Sequence, residues 1–223
     1  REYQPMEPDE LQKKIWPPMQ TRDGRPLRVG PGEMAGPEDT FIGYGRGWAN
    51  VSNTPFREYK HFAHEGGIAT PLIAHWPKGI AKKMRGKIDH QPGHLIDLMA
   101  TCVDLSGLKY PKTFGAHAID PLEGVSLGPA FRGELLGRKD ALYFEHHLNC
   151  AIRDGDWKLV RYGRTGRPAT LQSWELYDMS KDRVESNNLA QEKPELAQSL
   201  EHKWEAWANR ARVKPWPWKF ENK

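Results

Sequence analysis

The stretch LYFEHHLNCAIRDGDWKLVR, residues 142–161, contains three short apolar runs that are each long enough for a β-strand. A fourth run of the same kind follows, so that the strand candidates are residues 142–146, 150–153, 157–161 and 174–177. Asp154 and Gly155 separate the second and third runs, and this dipeptide is a strong signal for a two-residue hairpin turn with positive φ angles. The pattern predicts four antiparallel strands.

An amphipathic helix is predicted after these strands. Pro194 suits the first turn of a helix, and apolar residues then recur at helical spacing at Leu196, Leu200, Trp204, Trp207 and Ala211. A four-stranded antiparallel sheet with a covering C-terminal helix is a small α+β unit, and we assign residues 138–223 to this subdomain. Residues 214–219 contain two prolines and cannot continue the helix, so they are expected to wrap back or to fray.

Residues 41–137 have the pattern expected at the end of an α/β domain. The run IATPLIAHW, residues 68–76, is short, apolar and closed by proline and glycine, which favours a strand buried on both faces. Residues 93–105 follow with helical periodicity and Gly107 as a stop signal, and their apolar positions are Leu95, Leu98, Met99, Cys102 and Leu105. A strand followed by a helix is half of a βα unit, so the predicted fold class is α/β.

Residues 1–40 are predicted to form a long loop or insertion. Proline and glycine recur there at short intervals without a sustained hydrophobic period, and only residues 9–15 could form a helical turn or two. The chain begins at Arg1 with a polar, proline-containing stretch instead of a secretion signal. We therefore expect this sequence to be a piece of a longer protein.

Composition restricts the classes of function. The 223 residues include 33 Lys plus Arg and 29 Asp plus Glu, which gives a net charge of +4. No stretch approaches the roughly 20 apolar residues of a membrane-spanning helix. Two cysteines, Cys102 and Cys150, are too few for a disulfide framework or a cysteine-based zinc site. A metal, if bound, would need oxygen or histidine ligands.

The stretch NTPFREYKHFAHEGGIATPLIAHW, residues 53–76, carries the most chemistry. It places a lysine, two histidines, a glutamate and two glycines directly before the predicted buried strand, where α/β proteins put ligand loops. Gly66 and Gly67 would allow a ligand or a neighbouring segment to approach the backbone closely.

These residues resemble the sulfatases of the alkaline-phosphatase-like superfamily, and particularly their bacterial arylsulfatase-type members. The resemblance covers about residues 41–210. It rests on Lys60 followed five residues later by Glu65-Gly66-Gly67, then on residues 70–73 and 76–77. Downstream matches are residues 96–99, 145–160, 175–178 and 188–190. It implies the C-terminal part of an alkaline-phosphatase-like α/β domain, followed by the small α+β subdomain.

The resemblance implies that Lys60 contacts the sulfate group and is the catalytic residue of this chain. An ammonium with three donors suits tetrahedral sulfate oxygens and the charge that develops as the S–O bond breaks. We take His64 and His146 as candidate substrate contacts. His61 is assigned no role beyond a possible pocket wall, and His147 is expected to be exposed. Glu65 could act as a general base, but a buried acceptor that holds the glycine turn is the preferred interpretation.

The resemblance also implies groups that this chain lacks. The nucleophile of the family is a formylglycine made from Cys or Ser in a short motif ending in Arg, and neither cysteine lies in such a motif. The calcium ligands include an Asp-Asn pair, which is absent here, so we expect no metal ligand in this chain. Asp178, Asp182 and Glu185 are interpreted as turn and cap residues. Calcium and the nucleophile would then belong to the N-terminal remainder of the sulfatase.

The resulting hypothesis is the C-terminal portion of a sulfatase that hydrolyses small-molecule or carbohydrate sulfate esters and is inactive alone. The resemblance implies a periplasmic or secreted enzyme. One alternative is a phosphodiester or phosphonate hydrolase of the same superfamily, because Lys60 would serve any tetrahedral oxyanion. Another is a polyanion-binding module, suggested by the basic residues Lys82, Lys83, Arg85, Lys87, Arg161, Arg164 and Arg167. Acidic residues are interleaved throughout and no nucleic-acid-binding motif occurs, so no nucleic-acid or membrane partner is expected.

Overall fold

The structure is a computed structural model that describes residues 20–29, 32–34, 36–41, 45–218 and 220. The predicted helical turn at residues 9–15 lies outside the described residues. Between residues 20 and 41, the described part has no helix or extended strand; it contains the isolated bridges Gln20 to Pro26 and Arg28 to Thr40. No helix in the described ranges is both long and apolar enough to cross a membrane.

The first region of the chain is mainly helical, and the C-terminal region contains most of the strands. The helices are α1 (Gly45–Val51), α2 (Glu65–Ile68), α3 (Ile96–Ser106), α4 (Gly128–Arg132) and α5 (Pro194–Arg210), with a 3₁₀ turn at Lys82–Met84. The strands are β1 (Thr113–Phe114), β2 (His117–Ala118), β3 (Leu142–His146), β4 (Asn149–Asp154), β5 (Trp157–Arg161), β6 (Gly163–Arg164), β7 (Thr170–Leu171) and β8 (Glu175–Asp178). Most of the strand residues lie in the C-terminal region.

The main sheet confirms the predicted four antiparallel strands, in the order β3-β4-β5-β8. The predicted position of the β4–β5 turn is wrong by one residue. Asp154 pairs with Trp157, so the two turn positions are Gly155 and Asp156, and of these only Gly155 has a positive φ, 57°. Strand pairing continues through Asp154 because each added ladder position satisfies further backbone groups.

The two faces of the sheet have different partners. One face packs on α5 and forms a core of Cys150, Ile152, Leu159, Leu176, Leu200, Trp204 and Ala208. The other face packs on the segment before α2 and forms a second core of Ala63, Ala151, Val160, Tyr177 and Met179. Successive strand residues point to opposite faces, so one sheet organises both cores.

Helix α5 confirms the predicted covering helix. It starts at Pro194 and buries Leu200, Trp204 and Ala208, which recur at the spacing of one helix face. The chain then turns back over the same core, because Trp216 packs against Trp204 with 6.0 Å between ring centroids. Two courses were predicted for residues 214–219, and the described residues 214–218 follow the one that wraps back.

Helix α3 confirms the predicted helix and its stop at Gly107, which has φ 68°. The expected orientation is wrong, because the predicted apolar face is exposed: Leu95 is 78% and Met99 57% exposed. The face that is buried within the described residues carries Asp97, Ala100 and Thr101. The Asp97 carboxylate organises that side by accepting hydrogen bonds from the backbone N–H groups of His94 at 2.7 Å and Val125 at 2.9 Å.

The predicted strand at residues 68–76 is wrong in this structure. Residue 68 ends α2, and residues 69–76 have no regular secondary structure. Ile73 is 90% exposed and Leu72 60% exposed. A strand exists only through hydrogen bonds to a neighbour, and no described residue pairs with this segment.

Candidate functional site

The segment from Arg57 to Glu65 carries the predicted lysine and histidines, and sheet contacts hold its first end. The Arg57 guanidinium donates hydrogen bonds to the Tyr177 hydroxyl at 3.0 Å, the Tyr162 hydroxyl at 2.8 Å and the Glu185 carbonyl at 2.6 Å. Burial raises the pKa of Tyr162 to about 12, so this phenol is neutral at physiological pH. The start of the segment is therefore fixed to the residue after β5, to β8 and to the turn after β8.

A buried ion-pair cluster holds the other end. The Glu65 carboxylate accepts hydrogen bonds from Lys158 at 2.9 Å and Arg183 at 3.1 Å, and its backbone N–H donates to Glu185 at 2.9 Å. Lys158 also lies 2.6 Å from Glu185, with no exposed side-chain surface on either residue. Burial tends to raise the pKa of Glu65, but Lys158 and then Arg183 hold it below its ordinary value. Glu65 is thus a buried, charged structural acceptor, as preferred above.

Gly66 and Gly67 are required by close backbone packing. A Cβ on Gly66 would lie 2.2 Å from the Arg57 carbonyl oxygen, and one on Gly67 would lie 2.0 Å from the Phe62 carbonyl oxygen. The loop backbone therefore packs on itself at both glycines, which leaves no room for a side chain at either position. The sequence allowed close approach of either a ligand or a neighbouring segment at these glycines, and the structure shows a neighbouring segment.

His64 lies in the interior of the domain. Its side chain has no exposed surface, its ring stacks on Tyr162 at 4.2 Å, and Nε2 lies 3.1 Å from the Glu175 carboxylate. Burial tends to raise the pKa of Glu175, but its hydrogen bonds with His64 and Tyr177 lower it. A fully buried side chain cannot touch substrate unless its neighbours move, so the structure does not support the predicted substrate contact of His64.

Lys60 is exposed and directly precedes His61, whose ring contacts His146 and His147, and we call Lys60, His61, His146 and His147 the histidine surface. His61 Nδ1 is 3.1 Å from His146 Nε2, and the two rings stack with centroids 5.2 Å apart. His147 lies 4.4 Å from His146 and 5.8 Å from His61 by ring centroids. Burial lowers the pKa of His61, and the nearby His146, His147 and Lys60 lower it further.

The β3–β4 turn presents His146 and His147 in a constrained backbone. His147 and Leu148 occupy the turn positions with φ angles of 50° and 73°, which residues other than glycine rarely adopt. Leu148 is fully buried, and its backbone N–H donates to the Glu145 carboxylate at 2.8 Å. A Cβ on Gly163 would lie 2.3 Å from the Leu148 Cβ, so β6 packs tightly against the turn. Positive φ at both central residues is what a two-residue hairpin turn of type I′ requires, so the tight β3–β4 connection accounts for it.

The structure therefore places His146 against His61, the residue after Lys60, and buries His64 against Tyr162 and Glu175. His147 is exposed, as expected. The two imidazoles His61 and His146 meet through a contact between a loop and a strand end that are 85 residues apart in sequence.

The described part of the chain forms no cluster of metal ligands, and one of its two cysteines is buried. No group of three or more His, Cys, Asp or Glu residues there could hold a metal ion, so the residues present do not fit a calcium site. Asp178 and Asp182 instead accept hydrogen bonds from Ser180, Ser186 and Asn187 in the turns after β8. Cys150 is buried, and burial raises the pKa of its thiol to about 12.

Several supporting residues were not anticipated from the sequence. Lys158, Glu185, Tyr162 and Glu175 hold the loop that carries Lys60, yet each is 93 to 128 residues distant from the loop residue that it contacts. One signal was available for Lys158. It is the second residue of the predicted strand 157–161, between Trp157 and Leu159, and a lysine that is buried in a sheet is almost always paired with an opposite charge.

Similarity to known proteins covers most of this region. A profile of the family described as "N-sulphoglucosamine sulphohydrolase, C-terminal" matches residues 57–210. The chain is 29% identical to an uncharacterised sulfatase of Schizosaccharomyces pombe, over 77% of this chain and 30% of that protein. It is 31% identical to N-acetylgalactosamine-6-sulfatase of Mus musculus, over 62% of this chain and 24% of that protein.

Solved structures show the same fold. The crystal structure of Ps i-CgsB matches 76% of this chain and 35% of that chain, with a TM-score of 0.55 and 25% identity. Ps i-CgsB in complex with k-i-k-neocarrahexaose matches 82% of this chain and 39% of that chain, with a TM-score of 0.57 and 24% identity. This chain thus spans well under half the length of these relatives.

Proposed function

Because the chain belongs to the sulfatase family, matching its N-sulphoglucosamine sulphohydrolase C-terminal region, we propose that it supplies the C-terminal part of a sulfate-ester-hydrolysing site. The observation that carries this proposal is that Lys60 is exposed and directly precedes His61, which contacts His146, on a loop held at both ends by the sheet. A cation on a rigid loop can meet a sulfate oxygen without reorganising during the reaction.

In this proposal Lys60 is the catalytic contact of the chain. Its ammonium donates to sulfate oxygens and stabilises the negative charge that develops as the ester bond breaks. His146 lines the same surface and contacts the substrate. The lowered pKa of His61 favours its neutral form at pH 7. This imidazole can therefore form a hydrogen bond with His146 without adding a second positive charge to that of Lys60.

We propose a sulfated carbohydrate as the substrate class. Support comes from the similar N-acetylgalactosamine-6-sulfatase and from the fold shared with Ps i-CgsB, whose crystal structure contains k-i-k-neocarrahexaose. An exposed surface with one ammonium and three imidazoles also suits a large anionic saccharide better than an enclosed small-molecule cavity would.

The exposed apolar side chains support a second part of the proposal, which concerns the partner. Leu72, Ile73, Leu95, Met99 and Leu105 are all exposed large hydrophobic residues on the segment before α3 or on α3. Exposed apolar patches of this kind mark contact surfaces. We propose that the N-terminal remainder of the sulfatase covers them, and that it carries the formylglycine nucleophile and the calcium ligands. A periplasmic or extracellular location belongs to the same proposal.

The test is Lys60→Ala in the enzyme that contains this chain. We expect kcat/KM for an aryl sulfate to fall by about 10²-fold or more, as for loss of one charged transition-state contact. Lys78→Ala is the matched control, because Lys78 is also exposed but lies outside the histidine surface. Turnover close to that of the unaltered enzyme in Lys60→Ala would refute the assignment.

The chain by itself is expected to turn over no aryl sulfate, because the proposal places the nucleophile elsewhere. Measurable turnover by the purified chain would show that the groups assigned to the N-terminal remainder are dispensable. A preference of the enzyme for phosphodiesters over sulfate esters would favour the alternative hydrolase of the same superfamily.

A further inference from the structure

The segment after α5 is anchored on both sides of Trp218. Before it, the Lys214 ammonium forms an ion pair with the Glu205 carboxylate. After it, Phe220 forms a parallel bridge with Ala169 and lies 5.9 Å from the ring of Trp216. Ordering a side chain costs conformational entropy, and these anchors restrict the backbone around Trp218 before any ligand binds.

Trp218 extends the histidine surface. Its ring lies 5.7 Å from that of His147 with an angle of 43° between their planes, and the residue remains partly exposed. His147 in turn contacts His146 and His61 through ring distances of 4.4 and 5.8 Å. A continuous row of rings therefore leads from His61, the residue after Lys60, to a tryptophan that is not part of the core of the sheet.

From this arrangement we propose that Trp218 is a specificity-determining platform for the sugar ring of a sulfated saccharide. The inference rests on the proposed function and deepens it. The imidazole of His147 lies between Trp218 and His61, so a sulfate held by Lys60 would leave the saccharide, rather than the sulfate, to reach Trp218. A tryptophan face is large, rigid and electron-rich, and it attracts the positively polarised C–H groups on one face of a pyranose.

The platform accounts for selectivity in a way that Lys60 does not. An ammonium binds any tetrahedral oxyanion, whereas an aromatic face beside it adds affinity only for a ligand that carries a ring. Trp218 thus distinguishes a sulfated saccharide from free sulfate.

The test is titration of the full chain with three probes: sodium sulfate, a chondroitin 6-sulfate disaccharide and its unsulfated counterpart. Trp218→Ala should weaken binding of the sulfated disaccharide by roughly tenfold, the scale of one aromatic contact, and leave sulfate binding unchanged. Trp218→Phe should restore most of the affinity. Trp76→Ala is the control, since Trp76 is a partly exposed tryptophan that packs on Phe131 instead.

A spectroscopic measurement covers the case in which Trp218→Ala does not fold. The indole N–H resonance of Trp218, identified by its loss in Trp218→Phe, should shift with the disaccharide and not with sodium sulfate. Disaccharide affinity that is unaltered in a folded Trp218→Ala, or an indole resonance that stays in place, would overturn the platform.

The outcomes separate the platform from the proposed function. Loss of sulfate and disaccharide binding in Lys60→Ala, with no effect of Trp218→Ala, would overturn the platform and leave the sulfate site intact. An effect of Trp218→Ala on the disaccharide, with sulfate binding unchanged in Lys60→Ala, would support the platform and contradict the role of Lys60. Absence of disaccharide binding to the unaltered chain would overturn the platform.

Discussion

The two regions of the molecule bury their apolar residues to different degrees. The C-terminal sheet and α5 enclose Ile152, Leu159 and Trp204 completely, whereas residues 69–105 leave Ile73 and Met99 largely exposed. Both regions carry apolar residues at regular spacing, so spacing alone does not indicate whether a segment completes its own core. The C-terminal subdomain does, and the segment around α3 has the surface of an element that contributes to a larger core.

The largest expected effect tests whether the C-terminal core is self-sufficient. Trp204→Ala should lower the free energy of unfolding of the chain by about 4 kcal/mol, because it removes a fully buried aromatic side chain. Met99→Ala, which alters an exposed position on α3, should change it by no more than about 0.5 kcal/mol. Urea denaturation followed by far-ultraviolet circular dichroism measures both. Equal losses would contradict the division into two regions.

A smaller effect is expected where the two regions are joined. Lys158→Met should lower the free energy of unfolding by about 3 kcal/mol, because it leaves the buried carboxylates of Glu65 and Glu185 without their shared cation. The control is Lys181→Met, whose ion pair with Asp178 is exposed on the lysine side and should contribute less than about 1 kcal/mol. A stable Lys158→Met variant would show that this cluster does not hold the loop to the sheet.

The smallest effect concerns the pH dependence of the histidine surface. Because burial and its cationic neighbours lower the pKa of His61, the unfolded chain takes up this proton at a higher pH than the folded chain does. Stability should therefore decrease as the pH falls through the ordinary value of 6.5, and His61→Gln should flatten this dependence.

NMR titration of the His61 imidazole measures the same shift directly. Its midpoint should lie below 6.5, and it should move upward in Lys60→Ala because the lysine charge contributes to the lowering. A midpoint at or above 6.5 in the unaltered chain would show that His61 does not lie among these charges.

The C-terminal subdomain could be predicted from local patterns. Strand lengths, the hairpin near Gly155 and the apolar face of α5 all depend on residues that are near in sequence, and all four strands and the helix occur. The segment at residues 68–76 could not be predicted in this way, because a buried strand requires partner strands, and the described residues contain none for it.

The candidate site shows the same division. The spacing between Lys60 and Glu65 identified the loop, and the glycine pair after it indicated a close approach. The burial of His64 could not be predicted from the sequence, because its contact with Glu175 joins residues 111 positions apart. The position of Trp218 could not be predicted either, because it depends on how the C-terminal segment returns across the sheet.

The amino-acid sequence by itself determined the strands, the covering helix and the family to which the chain belongs, because these follow from short-range periodicity and motif spacing. Only the tertiary structure decided that His61, the residue after Lys60, contacts His146 while His64 is buried, and that α3 presents its apolar face outward. Those outcomes depend on which distant segments meet, and contacts of that kind are set by packing, charge pairing and burial rather than by any local pattern.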